Sequence, residues 1–137
     1  MNKRNKLLIL GAGKEQESLY KLCKLKSLIP IGVDKNIRNL KKLKCKKSIN
    51  VSVHDHKQII NKIKKKKDSI IGSISFGLDA PKTMLKINNF LNRSYYPEQS
   101  VEVSKNKYKL YKRLSKKFNI PHFAIVKSLK ETLKFSK

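Results

Sequence analysis

Four short apolar runs, each followed by a stretch of helical periodicity, constrain this chain more than any other feature. The first is Lys6-Leu7-Leu8-Ile9-Leu10, closed by Gly11. An unbroken apolar run of this length stopped by glycine predicts a strand buried on both faces, because it has no polar side to offer water. Behind the tight turn Gly11-Ala12-Gly13, the residues Leu19, Leu22, Cys23, Leu25 and Leu28 recur at helical spacing. Glu15 and Glu17 fall in the first turn of that helix, where its dipole favours acids. Pro30 predicts its end, since proline removes a helical N–H and clashes with the preceding turn.

The pattern then repeats. Ile31-Gly32-Val33-Asp34 reads as a second strand, followed by a short Lys-rich helix carrying Leu40 and Leu43. Residues 49–53 read as a third strand, with Val51 and Val53 alternating against polar neighbours. Asp55 predicts a helix N-cap, with Gln58 three residues on as in a capping box, and Ile59, Ile60 and Ile63 form that helix's apolar stripe. Residues 69–76 make a fourth strand, ended by Gly77; Ala80, Met84, Ile87 and Leu91 mark the next helix face. A linker over 92–103 carries Tyr95, Tyr96 and Pro97. Ser104 is expected to cap a last long helix with the stripe Leu110, Tyr111, Leu114 and Phe118, stopped by Asn119-Ile120-Pro121. An extended piece over 122–127 and a helical pattern from Leu129 complete the chain.

Strands alternating with helices predict the α/β class: βαβ units forming a Rossmann-like, three-layer parallel sheet over residues 6–92, with right-handed crossovers. Ligands of such sheets bind beyond the carboxyl ends of the strands. Those ends are residues 11–16, 34–36, 53–56 and 77–81. The domain is expected to cover 1–94, with 95–137 as an appended helix and the start of a second body.

Charge narrows the function classes. Thirty-four basic residues against 9 acidic ones give a net +25, and all but Arg4, Arg38, Arg93 and Arg113 of the basic residues are Lys. Lysine, isoleucine and asparagine are the residues of A/T-rich codons, so genome bias accounts for much of the excess. Dedicated nucleic-acid readers favour arginine forks and interleaved aromatics. The dense runs at 41–47 and 64–67 have neither, so the charge predicts salt-sensitive, non-specific attraction to polyanions. No run approaches a membrane span, and the apolar stretch near the start stops at Leu10, too short for a signal-peptide core. Cys23 and Cys45, both read as lying on helical stretches, are expected to be reduced thiols in a cytoplasmic protein.

The turn Gly11-Ala12-Gly13-Lys14-Glu15-Gln16 follows a strand and opens a helix, the position of an anion-binding loop whose free N–H groups point outward. Gln16 stands where the third glycine of G-x-G-x-x-G belongs, and its side chain would crowd a pyrophosphate. Asp34 ends the second strand, where dinucleotide folds hold a ribose hydroxyl pair, and could equally cap the next helix. Asp79 is placed to cap the helix that contains Pro81. A small anionic substrate group is therefore expected over Gly11, Gly13, Lys14 and Gln16, near Asp34 and Asp79. His54-Asp55-His56 suits a turn with a capping Asp better than a metal site, and the sequons at Asn50 and Asn92 are read as chance. No constellation supports a catalytic or metal-ligating assignment.

Two stretches resemble ATP-grasp enzymes, in particular the carbamoyl-phosphate-synthase-like and biotin-carboxylase-like carboligases. The first is the series K-L-L-I-L-G-A-G-K-E-Q, I-P-I-G-V-D, V-S-V-H-D and I-S-F-G-L-D-A-P-K-T, which resembles the family's N-terminal, pre-ATP-grasp domain. The second, residues 101–126, resembles the D-K…L…I-P segment that leads into the ATP-grasp lobe. The resemblance implies that Lys107 meets the nucleotide phosphates, with Asn106 replacing the usual Asp. It implies ATP and Mg²⁺ as cofactors and a small anionic or carboxylate substrate. The family's second ATP lysine and its Mg²⁺ ligands have no counterpart here, which implies a truncated or split ligase, inactive alone and either acting with a partner chain or a degenerate fragment. A contrasting expectation is a small basic Rossmann-like module that binds RNA or another polyanion.

Overall fold

The computed structural model describes residues 5–45, 47–94 and 96–136. The chain divides into two compact units, Met1–Tyr96 and Pro97–Lys137. Among the described residues the first unit holds four strands, β1 (Lys6–Leu10), β2 (Ile29–Val33), β3 (Lys47–Ile49) and β4 (Ile70–Ser75). They form one sheet in the order β3-β2-β1-β4, and every pairing is parallel. Four helices accompany them: α1 (Glu17–Leu25), α2 (Ile37–Lys42), α3 (His56–Ile63) and α4 (Pro81–Phe90).

Side-chain alternation along β1 sorts the helices into layers. Leu8 and Leu10 face a cluster with Ile59 and Ile63 of α3 and Ile87 following on α4. Ile9 faces the other way, against Tyr20 and Cys23 of α1, with Leu43 just after α2 packed alongside. The expected three-layer α/β architecture is therefore the one found. The strand order fits it: β1-α1-β2-α2-β3 runs one way across the sheet, and the return through α3 to β4 changes face, as the right-handed rule for such crossovers expects.

Several local expectations are corrected. Pro30 does not stop α1; it lies inside β2, opposite Leu7. Pairing of β2 with β3 begins only at Ile31, so at Pro30 the strand has one neighbour and the missing N–H leaves no ladder position empty. The helix ends earlier, at Leu25, in a Schellman turn: Ser27 adopts a left-handed φ of 55°, Leu28 N–H donates to Cys23 O at 2.8 Å and Ser27 N–H to Lys24 O at 3.2 Å. A 3-10 turn over Lys14–Gln16 precedes α1 and resets its phase. Tyr20 and Cys23 are consequently the buried residues, while Leu22 and Leu25 are exposed. The third strand is Lys47–Ile49 rather than 49–53, because Asn50 Nδ2 donates to the carbonyls of Asp34 and Lys35 at 3.0 and 2.8 Å and turns the chain away. Cys45 lies in the loop after α2, not on a helix.

Asp55 does cap α3, its Oδ1 accepting the Gln58 N–H at 2.9 Å. Gln58 answers through Nε2 to Asp55 Oδ2 at 2.7 Å, side chain to side chain. The N-cap position of α4 is Ala80 rather than Asp79, with Pro81 opening the helix. At the back of β4, buried Asn88 grips Ser73, accepting its N–H at 2.7 Å and its hydroxyl at 2.9 Å and donating to its carbonyl at 3.2 Å.

In the second unit, α5 (Glu98–Ser104) occupies part of the expected linker, and α6 (Lys107–Leu114) and α7 (Leu129–Phe135) follow. Tyr95, named in that linker, lies outside the described residues. Ser104 belongs to α5 and donates its hydroxyl to Val101 O at 2.9 Å. The cap of α6 is Asn106, whose Oδ1 accepts the Lys109 N–H at 3.0 Å. Asn at that position thus has a local structural role, since Asn caps a helix as well as Asp does. The helix stops at Leu114, leaving Phe118 exposed beyond it. Ser128 caps α7 by accepting the Glu131 N–H at 3.2 Å.

Candidate functional site

The carboxyl ends of the strands meet at the glycine turn, and the turn is bonded from three sides. Gly11, at φ 94°, takes a conformation that favours glycine; its N–H donates to Val33 O at 2.8 Å. Its carbonyl accepts the Tyr20 hydroxyl at 2.9 Å from below. Ala12 N–H donates to Asp34 Oδ2 at 2.9 Å, and Gly13 N–H to Gln16 Oε1 at 2.9 Å. Gln16 Nε2 reaches across to Phe76 O at 2.6 Å.

These bonds revise the expected chemistry. The N–H groups of Gly11, Ala12 and Gly13 do not point outward to an anion; all three are spent inside the protein. Gln16 does not obstruct the turn but clasps it to the end of β4, and it is buried. The space it uses exists because residues 11 and 13 have no side chains: a Cβ at Gly11 would stand 3.0 Å from Gln16 Oε1, and one at Gly13 3.1 Å. Asp34 is a bracket rather than a helix cap. Its second oxygen accepts the Asn36 N–H at 2.7 Å, and Asn36 itself caps α2. At the other edge, Gly77 has a φ of 61°, and a Cβ there would come within 2.5 Å of Glu15 Oε2.

A cleft of about 280 Å³ opens over these groups, and Gly11, Gly13, Gln16 and Asp34 line it together. Its wall also includes Lys35 and His54, residues that sequence reasoning did not place in the site. Lys35 follows the strand-ending Asp34, and His54 precedes the capping Asp55; both lie in strand-end segments where ligands of parallel sheets bind. Lys14 does not line this cleft but a neighbouring hollow between α1 and α2. Asp79, exposed, lines neither. Lys107 is the first residue of α6, in the second unit, and is exposed.

Burial governs the titrating groups under the turn. It pushes the Tyr20 phenol well above its ordinary value and raises the Cys23 and Cys45 thiols. Tyr20 therefore serves as a neutral donor to Gly11, and both cysteines are free thiols. Among the described residues no group of three or more His, Cys, Asp or Glu is arranged to hold a metal ion, and no helix is long and apolar enough to cross a membrane.

No protein-family profile and no curated protein matches the sequence. Solved structures do. Phosphoribosylglycinamide synthetase from Anaerococcus prevotii superposes with a TM-score of 0.74 at 22% identity, over 95% of this chain and 33% of its own. N5-carboxyaminoimidazole ribonucleotide synthetase from Thermotoga maritima gives 0.73 at 18% identity, over 96% of this chain and 36% of its own. The fold is that of a pre-ATP-grasp domain. The chain spans about a third of the length of the structures it matches. Within it the bracketed glycine turn stands where an open parallel sheet receives its ligand.

Proposed function

We propose that this chain is the N-terminal part of an ATP-grasp ligase, supplying the substrate-side cleft and the first nucleotide-phosphate lysine. One observation carries the reading: the likeness to two synthetases extends over 95% and 96% of the chain. A bare Rossmann-like sheet would account only for the first unit. The match continues through the second, which holds Lys107.

In this reading a small anionic or carboxylate substrate enters the cleft at the glycine turn. With the amides of residues 11–13 engaged, and the Gln16 N–H donating to Gly13 O at 3.2 Å, positive potential in the cleft comes from Lys35. The engaged amides fix the floor of the cleft before substrate arrives. Lys107 meets the ATP phosphates as a point charge. The described residues do not form a Mg²⁺ cage, so no phosphoryl-transfer step is assigned to them; that chemistry needs metal ions and a closed phosphate cradle. The ATP-grasp body that such a domain serves packs against it in a cytoplasmic setting. Leu129, Leu133 and Phe135 on α7 and Ile125 before it, all at least half exposed, supply an apolar surface for it.

Calorimetry with ATP, with and without Mg²⁺, on wild type and Lys107→Ala tests the reading. Weak, magnesium-independent binding that weakens several-fold in Lys107→Ala, with no ATP turnover, is expected. Tight magnesium-dependent binding would show a complete site in this chain, and weak binding indifferent to Lys107→Ala would remove the lysine's assigned role.

A further inference from the structure

A larger hollow adjoins the same glycine turn, sharing Gly13 and Asn39 with the carboxyl-end cleft. It lies between α1 and the end of α2, about 610 Å³ in volume, within the range of ligand-holding clefts. Lys14, Lys21, Lys24, Lys42 and Lys44 line it, with Glu17 as the one acid in its wall. Two features of the fold put them there. Glu17, Lys21 and Lys24 share one face of α1 at spacings of four and three. The end of α2 delivers Lys42, and the following turn, with Lys44 at a φ of 47°, delivers Lys44.

Codon bias scatters lysines along a chain; it does not gather them in a concavity. Five of the eleven residues lining this hollow are lysines, against 30 of 137 in the whole sequence. The carboxyl-end cleft has one, Lys35, among ten. Glu17 is engaged by Lys21 at 2.9 Å, so Lys14, Lys24, Lys42 and Lys44 face the hollow without a further carboxylate in its wall. Like charges on a concave, low-dielectric wall focus a positive potential and raise the local concentration of anions. We infer that the α1/α2 hollow is a binding site for a chain of phosphate groups.

The lining also selects what kind of phosphate chain. No exposed aromatic stands in it: Tyr20 contributes to the floor but is buried, its hydroxyl held by Gly11. Base stacking, which carries single-strand nucleic-acid recognition, has no platform here. There is no arginine fork for bidentate contacts either. Lysine point charges read phosphate spacing, not bases. The site therefore takes linear polyphosphate, and takes a nucleic-acid strand only through its backbone. Lys21, Lys24 and Lys42 have no part in the ligase reading, which rests on Lys107 and the carboxyl-end cleft, so the two can fail separately.

The test uses the full chain, labelled inorganic polyphosphate, and two triple variants of equal net charge. Lys21→Gln, Lys24→Gln and Lys42→Gln alter the hollow; Lys64→Gln, Lys65→Gln and Lys66→Gln alter an exposed 3-10 turn elsewhere in the same unit. Glutamine keeps helix propensity, so both should fold. Polyphosphate affinity should fall at least tenfold in the first triple and less than twofold in the second. The salt slope should drop by about two units in the first, at roughly 0.7 per lost phosphate contact. A single-stranded oligonucleotide should be displaced by polyphosphate of matched charge. Equal losses in the two triples, or none in the first, would reduce the effect to bulk charge and overturn the inference. An oligonucleotide that polyphosphate fails to displace would show that bases are read, and would overturn it as well.

Discussion

The two faces of the sheet are built on different principles. The α3/α4 face is a continuous hydrophobic layer in which Leu8, Leu10, Val33, Ile59, Ile63 and Ile87 interlock, each at or below 2% exposure. The α1/α2 face has a thinner layer: Ile9, Tyr20, Cys23 and Leu40 are buried there, with Leu7, Leu19, Leu28, Leu43 and Cys45 only partly covered. On that side directional bonds do the holding, above all the Tyr20 hydroxyl on Gly11 and the Asp34 and Gln16 brackets around the turn. Cohesion of the unit is thus concentrated on one face, and both clefts adjoin the glycine turn supported from the other. Such a division leaves the α1/α2 side free to carry like charges and buried polar atoms that a dense core would exclude.

The sharpest way to break this contrast is to cut the dense face. Ile59→Ala removes a fully buried side chain against β1, and cavity-forming substitutions of this kind cost about 2–5 kcal/mol. Urea unfolding should show a loss in that range and a midpoint well below wild type. A loss under about 1 kcal/mol would mean that the layer repacks freely and that the two faces do not differ as described.

A smaller effect is expected on the thin face. Tyr20→Phe keeps the ring and deletes the hydroxyl that holds the Gly11 carbonyl. The stability change should be near 1 kcal/mol, the net value of one hydrogen bond, rising toward 3 if the buried carbonyl finds no substitute partner. Amide resonances of residues 11–16 should shift, while those of α3 and α4 stay in place. Shifts spread evenly over both faces would show that the turn is held by general packing instead.

The same contrast explains what could be read from the residues. The dense face was legible: unbroken apolar strands and the Ile59, Ile60, Ile63 stripe are periodic signals, and Asp55 with Gln58 is a local cap whose chemistry is complete within four residues. The thin face was not. Tyr20 sits among leucines in a helix whose phase was set by an unforeseen 3-10 turn, so the period started at the wrong residue. Gln16 read as an obstacle because nothing local shows a side chain folding back into space vacated by two glycines. Asp34 was found as a strand-end acid, but its partner amides lie on another turn, at Ala12, and two residues on, at Asn36. The hollow between α1 and α2 was invisible for a related reason: its lysines come from two helices and a turn, and only the fold brings them together. In the second unit, Ser104 read as the cap, but Asn106 two residues on is equally suited and is the one used.

The smallest predicted effect concerns pH and again separates the faces. Burial holds the Cys23 and Cys45 thiols above their ordinary value of 9.0, and Tyr20 above 10.0. All three lie on the thin face. As pH rises past about 8.5, where free thiols begin to ionise, the unfolded chain loses protons that the folded chain still holds. Unfolding then releases protons, so stability is fully present below that pH and declines as pH climbs toward the folded-state values. The 30 lysines begin to discharge near pH 10, which relieves repulsion and works in the opposite direction. The difference between proteins therefore carries the test rather than the raw slope. Urea midpoints of wild type and of the Cys23→Ala, Cys45→Ala double variant, taken from pH 7.5 to 10, should converge as pH rises, because the variant has lost the thiols whose neutrality the fold protects. Curves that stay parallel would show that the thiols ionise alike in both states, and that the α1/α2 face is wetter than its packing implies.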